Sequence, residues 1–186
     1  MPSPKLAVAA LALGLLAAGC QQAGTAIDRT IGPGATATTL SPADTEFALR
    51  AASGSNAEIS LGELAQTNAA SPAVKAFGQR MIADHRRLNQ ELTTIVGARG
   101  LTPPSTPSEP EVAAAAALSQ RTGAAFDRAY LEEQVAAHEL TLTLFRHAAR
   151  NAGDPSLRSF AAREAGTIEE HLEEAQSLLR QVGTQA

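Results

Sequence analysis

Three features of this sequence predict an all-α fold, a four-helix bundle written as two related helical hairpins joined by a long crossover. Beyond residue 40 the apolar residues recur at intervals of three and four, which is the spacing of helices and not of strands. Two segments repeat one another: "SPAVKAFGQR" (71–80) and "DPSLRSFAAR" (154–163) carry a capping residue, proline, aliphatic, basic residue, phenylalanine and arginine at matching positions, so each should open the second helix of a hairpin. Between the hairpins, "GARGLTPPSTPSEP" (97–110) is proline-rich and long enough to run the length of a bundle, as in folds with one crossover connection.

The chain opens with Lys5 and then the apolar run "LAVAALALGLLAA" (6–18). That run is too short to span a bilayer as a mature helix and matches the core of a signal peptide. Residues 1–19 are therefore read as a signal peptide and the protein as exported. Cys20, the single cysteine, follows "LAAG" directly, and the position resembles the site at which bacterial lipoproteins are cut and lipidated. An ordinary secretory signal that happens to end in cysteine is the other reading. Several acyl chains on Cys20 would hold the protein stably to a membrane, where one would not, and the outer membrane on its periplasmic side is the expected location. One cysteine also excludes an internal disulfide framework. Residues 20–40 have no sustained period, and "GPG" at 32–34 has no strand before it. They read as a tether with about 25 Å of typical reach. Residues 41–182 are the size of one domain.

Within that domain the first helix opens at "SPADTEF" with Ser41 or Asp44 as cap, then runs Phe47, Ala51, Gly54, Glu58, Leu61, Ala65,. The second has Ser71 as cap and Pro72 in its first turn, and runs Val74, Phe77, Met81, His85, Leu88, Leu92, Ile95. After the crossover, "EVAAAAALSQRT" (111–122) should form one short extra helix ending at Gly123. The third long helix runs Leu131, Val135, His138, Leu142, Phe145, Ala149. The fourth opens at "DPSLRSF" and runs Leu157, Phe160, Glu164, Ile168, His171, Ala175, Leu178, Val182.

Each stripe is interrupted near its middle by a residue that can bind a proton or a metal: Glu58, His85, His138 and His171. Glu58 lies about 12 residues before the first hairpin turn and His85 about 15 after it; His138 lies about 15 before the second turn and His171 about 18 after, so at 1.5 Å per residue all four can meet in one layer. Buried without partners, each would cost several kcal/mol, so they need one another or a cation. Two readings stay open: a single transition-metal ion (zinc, iron, copper or nickel) held by the four, or a metal-free hydrogen-bonded polar layer. Four protein ligands would close a tetrahedral site and favour a structural role. His147, about 900° around its helix from His138, should face solvent. Asp84, Glu139 and Glu170 sit about 100° from a stripe histidine, where they could orient a neighbouring imidazole or stand as solvated charges. Tyr130 shares a face with Gln134 and His138, pointing either towards the layer or into core packing at the bundle's end.

A formal net charge of −4, which becomes one unit more negative once Lys5 leaves with the leader, argues against nucleic-acid binding,. With 3% aromatics and no tryptophan there are no stacking platforms for bases,. No Ser/His/Asp order, Gly-rich phosphate loop or cysteine nucleophile is present, so an enzyme is not the leading expectation.

"AEISLGELA" (57–65), "VKAFGQRMIADH" (74–85), "GAAFDRAYLEEQVAAHE" (123–139) and "HLEEA" (171–175) resemble the landmark segments of a bacterial exported family catalogued as domain of unknown function 4142, over about Ser41 to Leu179. The resemblance implies a ferritin-like four-helix bundle in the periplasm or at the outer membrane. It also places Glu58, His85, His138 and His171 on the family's recurring polar positions, with Asp84, Asp127 and Tyr130 beside them. It implies no activity. Di-iron bundles of the ferritin-like kind carry a glutamate three residues before each of two histidines; here Ile82 and Ile168 stand there, and the third long helix offers His138 in place of glutamate. A single-metal site, or none, is expected in place of a two-metal oxidase centre. The expected role is metal handling or envelope stress protection by a lipid-anchored bundle. The alternative is a non-enzymatic envelope module that works through protein contacts and uses a metal-free polar layer to fix helix register. No protein partner is legible.

Overall fold

The computed structural model describes residues 39–183, so the expected signal peptide, Cys20 and nearly all of the tether lie outside the described residues. Five helices and no strands occur among them: α1 (Pro42–Asn68), α2 (Pro72–Gly97), α3 (Glu109–Ser119), α4 (Gly123–Asn151) and α5 (Pro155–Gly183). No helix among the described residues is long and apolar enough to cross a membrane.

Local chemistry explains where the long helices begin. Ser41 Oγ accepts the amide of Asp44 at 3.0 Å and Pro42 takes the first turn, where its missing N–H leaves nothing unpaired,. Asp154 does the same for α5, its Oδ1 accepting the amides of Ser156 (2.8 Å) and Leu157 (3.0 Å). Asp44 is not the cap but a clasp. Its two oxygens accept the amides of Gly153 (3.0 Å) and Asp154 (3.1 Å) in the turn between α4 and α5. Asp127, in the first turn of α4, accepts the amides of Ala70 (3.0 Å) and Ser71 (2.9 Å) in the turn between α1 and α2. The register that lays 71–80 on 154–163 also lays Asp44 on Asp127 and Ala70-Ser71 on Gly153-Asp154. The repeat thus covers whole hairpins, and each hairpin ties down the turn of the other. This corrects the placement of Asp127 beside the polar layer: it sits at the end of the bundle, because two turn amides left without helix partners need an acceptor there.

The crossover runs the full length of α1. Arg99 pairs with Asp154 (2.8 Å) at one end. Midway, Asn56 Nδ2 donates to the Pro104 carbonyl (3.0 Å) and Ser53 Oγ to Glu111. At the far end Asn68 Nδ2 donates to the carbonyls of Ser119 (3.2 Å) and Arg121 (2.9 Å). Those last bonds explain why α3 stops at Ser119 and not at Gly123: Asn68 takes the Ser119 carbonyl that a continuing helix would use. Gly123 instead begins α4, at φ +65, a left-handed conformation that costs glycine little,. Ser108 and Glu111 form a capping box at the start of α3,.

The α1–α2 hairpin is drawn tight at Gly62 and Gly78, where a Cβ on Gly62 would lie 2.6 Å from the Gly78 carbonyl oxygen. Two apolar clusters fill the bundle. One surrounds Phe47, Phe145 and Phe160, with ring centroids 5.2 and 5.9 Å apart; the other surrounds Phe77, Phe126 and Tyr130, at 6.2 and 5.6 Å. Burying each such side chain is worth roughly 1.5–3 kcal/mol. His85 stands between Met81 of one cluster and Leu88 of the other, so a polar layer divides the two cores.

Candidate metal centre

The layer is built by three helices. His85 comes from α2, His138 from α4 and His171 from α5, and their exposures are 2, 1 and 1%. One ring nitrogen of each lies within 4.8 Å of the others, and the ring centroids are 5.9, 5.7 and 5.5 Å apart. Each ring is fixed from behind. His138 Nδ1 is 2.9 Å from the Gln134 carbonyl, which can only accept, so the proton is on Nδ1. His171 Nε2 donates to Asp84 Oδ2 at 2.8 Å. His85 Nδ1 is 3.2 Å from Ser55 Oγ, a hydroxyl that serves either tautomer,. The nitrogens left over, His85 Nε2, His138 Nε2 and His171 Nδ1, are buried and have no hydrogen-bond partner. Where the anchored nitrogen carries the proton, as on His138 and His171 and in one tautomer of His85, the other keeps its lone pair, an arrangement that can serve as a ligand set,.

Electrostatics keeps the rings of His85 and His171 unprotonated. Burial, reinforced by His138 and His171, holds His85 well below the usual histidine range. Burial lowers His171 from 6.5 to about 4, partly offset by its bond to Asp84. Both rings are neutral at pH 7 and able to donate to a cation.

Glu58, the expected fourth ligand, stands outside this group. Its Oε2 accepts from Gln134 Nε2 at 2.6 Å, and its Oε1 lies 3.9 Å from His138 Nδ1, on the anchored side of that ring and away from its free nitrogen. Burial raises its carboxyl above the ordinary value, against the opposing pull of His138 and Gln134. Asp84 holds His171 from the neighbouring helix and is itself reached by Arg80 Nε at 3.4 Å; Arg80 also binds Glu170 (2.8 Å) and Glu174 (2.7 Å). Tyr130 is fully buried, stacked on Phe126 and edge-on to Phe77, and its hydroxyl has no partner. Burial and then the Glu58 carboxylate push its hydroxyl well above the usual range. His147 and Glu139 face solvent.

Two contributors were not singled out from the sequence. Ser55 lies almost one turn before Glu58 and was hidden as a small residue off the stripe. Glu164 stood on the α5 stripe with the same signal as His171; it is 3% exposed and bound in two-pronged fashion by Arg87, at 3.1 and 2.9 Å,.

Fold and site define an all-helical domain whose core is divided by a layer of three buried histidines, one ring nitrogen of each within 4.8 Å of the others. Residues 30–178 match the sequence profile described as Domain of unknown function (DUF4142), and the chain belongs to that family. No curated protein matches it. Among solved structures, the crystal structure of a DUF305 fragment from Deinococcus radiodurans is similar, with a TM-score of 0.69 and 15% identity over 77% of this chain and 99% of that one. At that identity the likeness shows the fold alone.

Proposed function

We propose that this protein is an exported, lipid-anchored bundle of ferritin-like arrangement that binds one transition-metal ion through His85, His138 and His171, in metal handling or envelope stress protection. The observation that carries the reading is the set of three buried ring nitrogens without partners. Each unpaired buried acceptor costs about 1–3 kcal/mol, and a single cation meets all three at once. Imidazole donors suit zinc, copper, iron or nickel; with no carboxylate in the cluster, calcium and magnesium do not fit. Three protein ligands leave a further position open. The ferritin-like arrangement is supported by the two hairpins and the crossover along α1, and the anchor by the leader and Cys20.

Protein purified without chelator and then offered zinc, iron and copper in turn is expected to carry one ion per chain, and to melt at a higher temperature with the ion than after chelation. If it takes up none of them and melts identically with and without chelator, the metal reading fails and the metal-free layer stands in its place. The anchor is tested in cells. Cys20→Ala is expected to move the protein from the membrane fraction to the soluble periplasmic fraction; unchanged fractionation would remove the anchor from the proposal.

A further inference from the structure

A buried ion needs a way in. The α1–α2 seam is closed by backbone contact at Gly62 and Gly78, and the α2–α5 seam is spanned by Arg87–Glu164 and by Arg80 with Glu170 and Glu174. Between α1 and α4 there is instead a groove of about 890 Å³, roofed by the crossover and α3, whose walls include the small residues Gly54, Ala57 and Ala137. Glu58 lines this groove although it is only 6% exposed. Glu111 and Glu133 line it too, close enough for their charges to act on Glu58, against one cation, Arg50. Glu58 therefore stands between the groove and the histidine layer, behind the His138 ring. Its Oε2 is held by Gln134, whose backbone carbonyl anchors His138, while its Oε1 has no hydrogen bond and lies 3.9 Å from the His138 ring.

We infer that the groove between α1 and α4 is the route by which a divalent transition-metal ion reaches the histidines, and that Glu58 is its transfer ligand. A hydrated cation drawn in by Glu133 and Glu111 exchanges a water for Glu58 Oε1, then passes the His138 ring and exchanges that oxygen for the free imidazole nitrogens beyond it. Throughout, Glu58 Oε2 stays on Gln134 Nε2, which keeps the carboxylate in place for the next ion. A residue that only relays the ion speeds loading and release alike, and leaves the final affinity unchanged. The inference rests on the metal reading above.

The test is stopped-flow uptake of Co2+, followed by its visible absorption, with an equilibrium titration alongside. Glu58→Gln is expected to slow uptake about tenfold or more, with release slowed to match and affinity held within about threefold. Ala137→Leu narrows the groove without changing charge and should slow both rates as well; it is the second probe should Glu58→Gln disturb folding. Added salt should slow uptake by the wild type more than by Glu58→Gln. Uptake at wild-type rates in both variants overturns the inference while leaving the metal reading intact. So does a Glu58→Gln protein that loses affinity through faster release, since that is the signature of a ligand. A wild type that binds no Co2+ at equilibrium removes the metal reading itself, and this inference with it.

Discussion

Alanine in place of His85, His138 or His171 is expected to weaken binding of the ion by more than about a hundredfold, because even residues that only support a metal ligand cost 10–100-fold when removed. Each substitution deletes one of three free nitrogens that no other described side chain replaces: Glu58 is engaged by Gln134, Asp84 by His171 and Arg80, and Glu164 by Arg87. His147→Ala is the control. His147 is exposed, and its ring accepts a hydrogen bond from Asn151, one turn along its own helix. Asp84→Asn should fall between, at about tenfold, since it weakens the hold on His171 without removing a ligand. The same order should appear in stability: at a free-ion concentration of about 100 Kd, the wild type gains about 2.7 kcal/mol, and the three alanine variants should gain none. Calorimetric titration and thermal melts read both quantities. Equal losses from all four histidines would mean adventitious surface binding, and would sink the assignment.

What the sequence made legible, and what it hid, divides along physical lines. The long helices, the hairpin repeat and the crossover could be read because each follows from local spacing: stripes of three and four, and cap-proline signals at Ser41, Ser71 and Asp154. The depth of the layer was also readable, since distances from the two turns convert directly into height along a helix. Side chains whose position is decided across helices were not. Glu58 has the right height for the layer, but the Gln134 amide competes for it and holds it behind His138. Asp127 was set beside the site only by the family resemblance, and its partners are turn amides more than fifty positions away. The end of α3 depended on Asn68, again from a distant helix. Glu164 was a different kind of miss. Its position on an apolar stripe carried the same information as His171, and the buried pairing with Arg87 follows from the rule that a buried carboxylate needs a partner.

Ion-free protein is expected to lose stability as the pH falls below neutrality, and the histidine layer fixes the range. An unfolded histidine titrates near 6.5, whereas burial holds His171 at about 4 and His85 well below its usual value. Between the two limits the unfolded chain binds protons that the folded chain refuses, so the contribution is fully present above about pH 6.5 and drains away as the pH falls towards the folded values. For His171 alone the gap is worth roughly 3 kcal/mol by pH 4,. His85 adds in the same direction, while Glu58, whose carboxyl is raised, acts in the opposite sense below its folded value. Against a total of about 5–15 kcal/mol for a typical domain, such a loss is large. Urea denaturation of chelated protein between about pH 7 and about pH 4.5 should show the midpoint falling steadily, and His171→Gln should flatten the slope, because glutamine takes up no proton on unfolding. A wild-type midpoint that does not move over this range would mean that the rings are hydrated or already protonated in the folded protein. It would also remove the ground for treating their nitrogens as free donors, since only neutral rings can hold an ion without first giving up a proton.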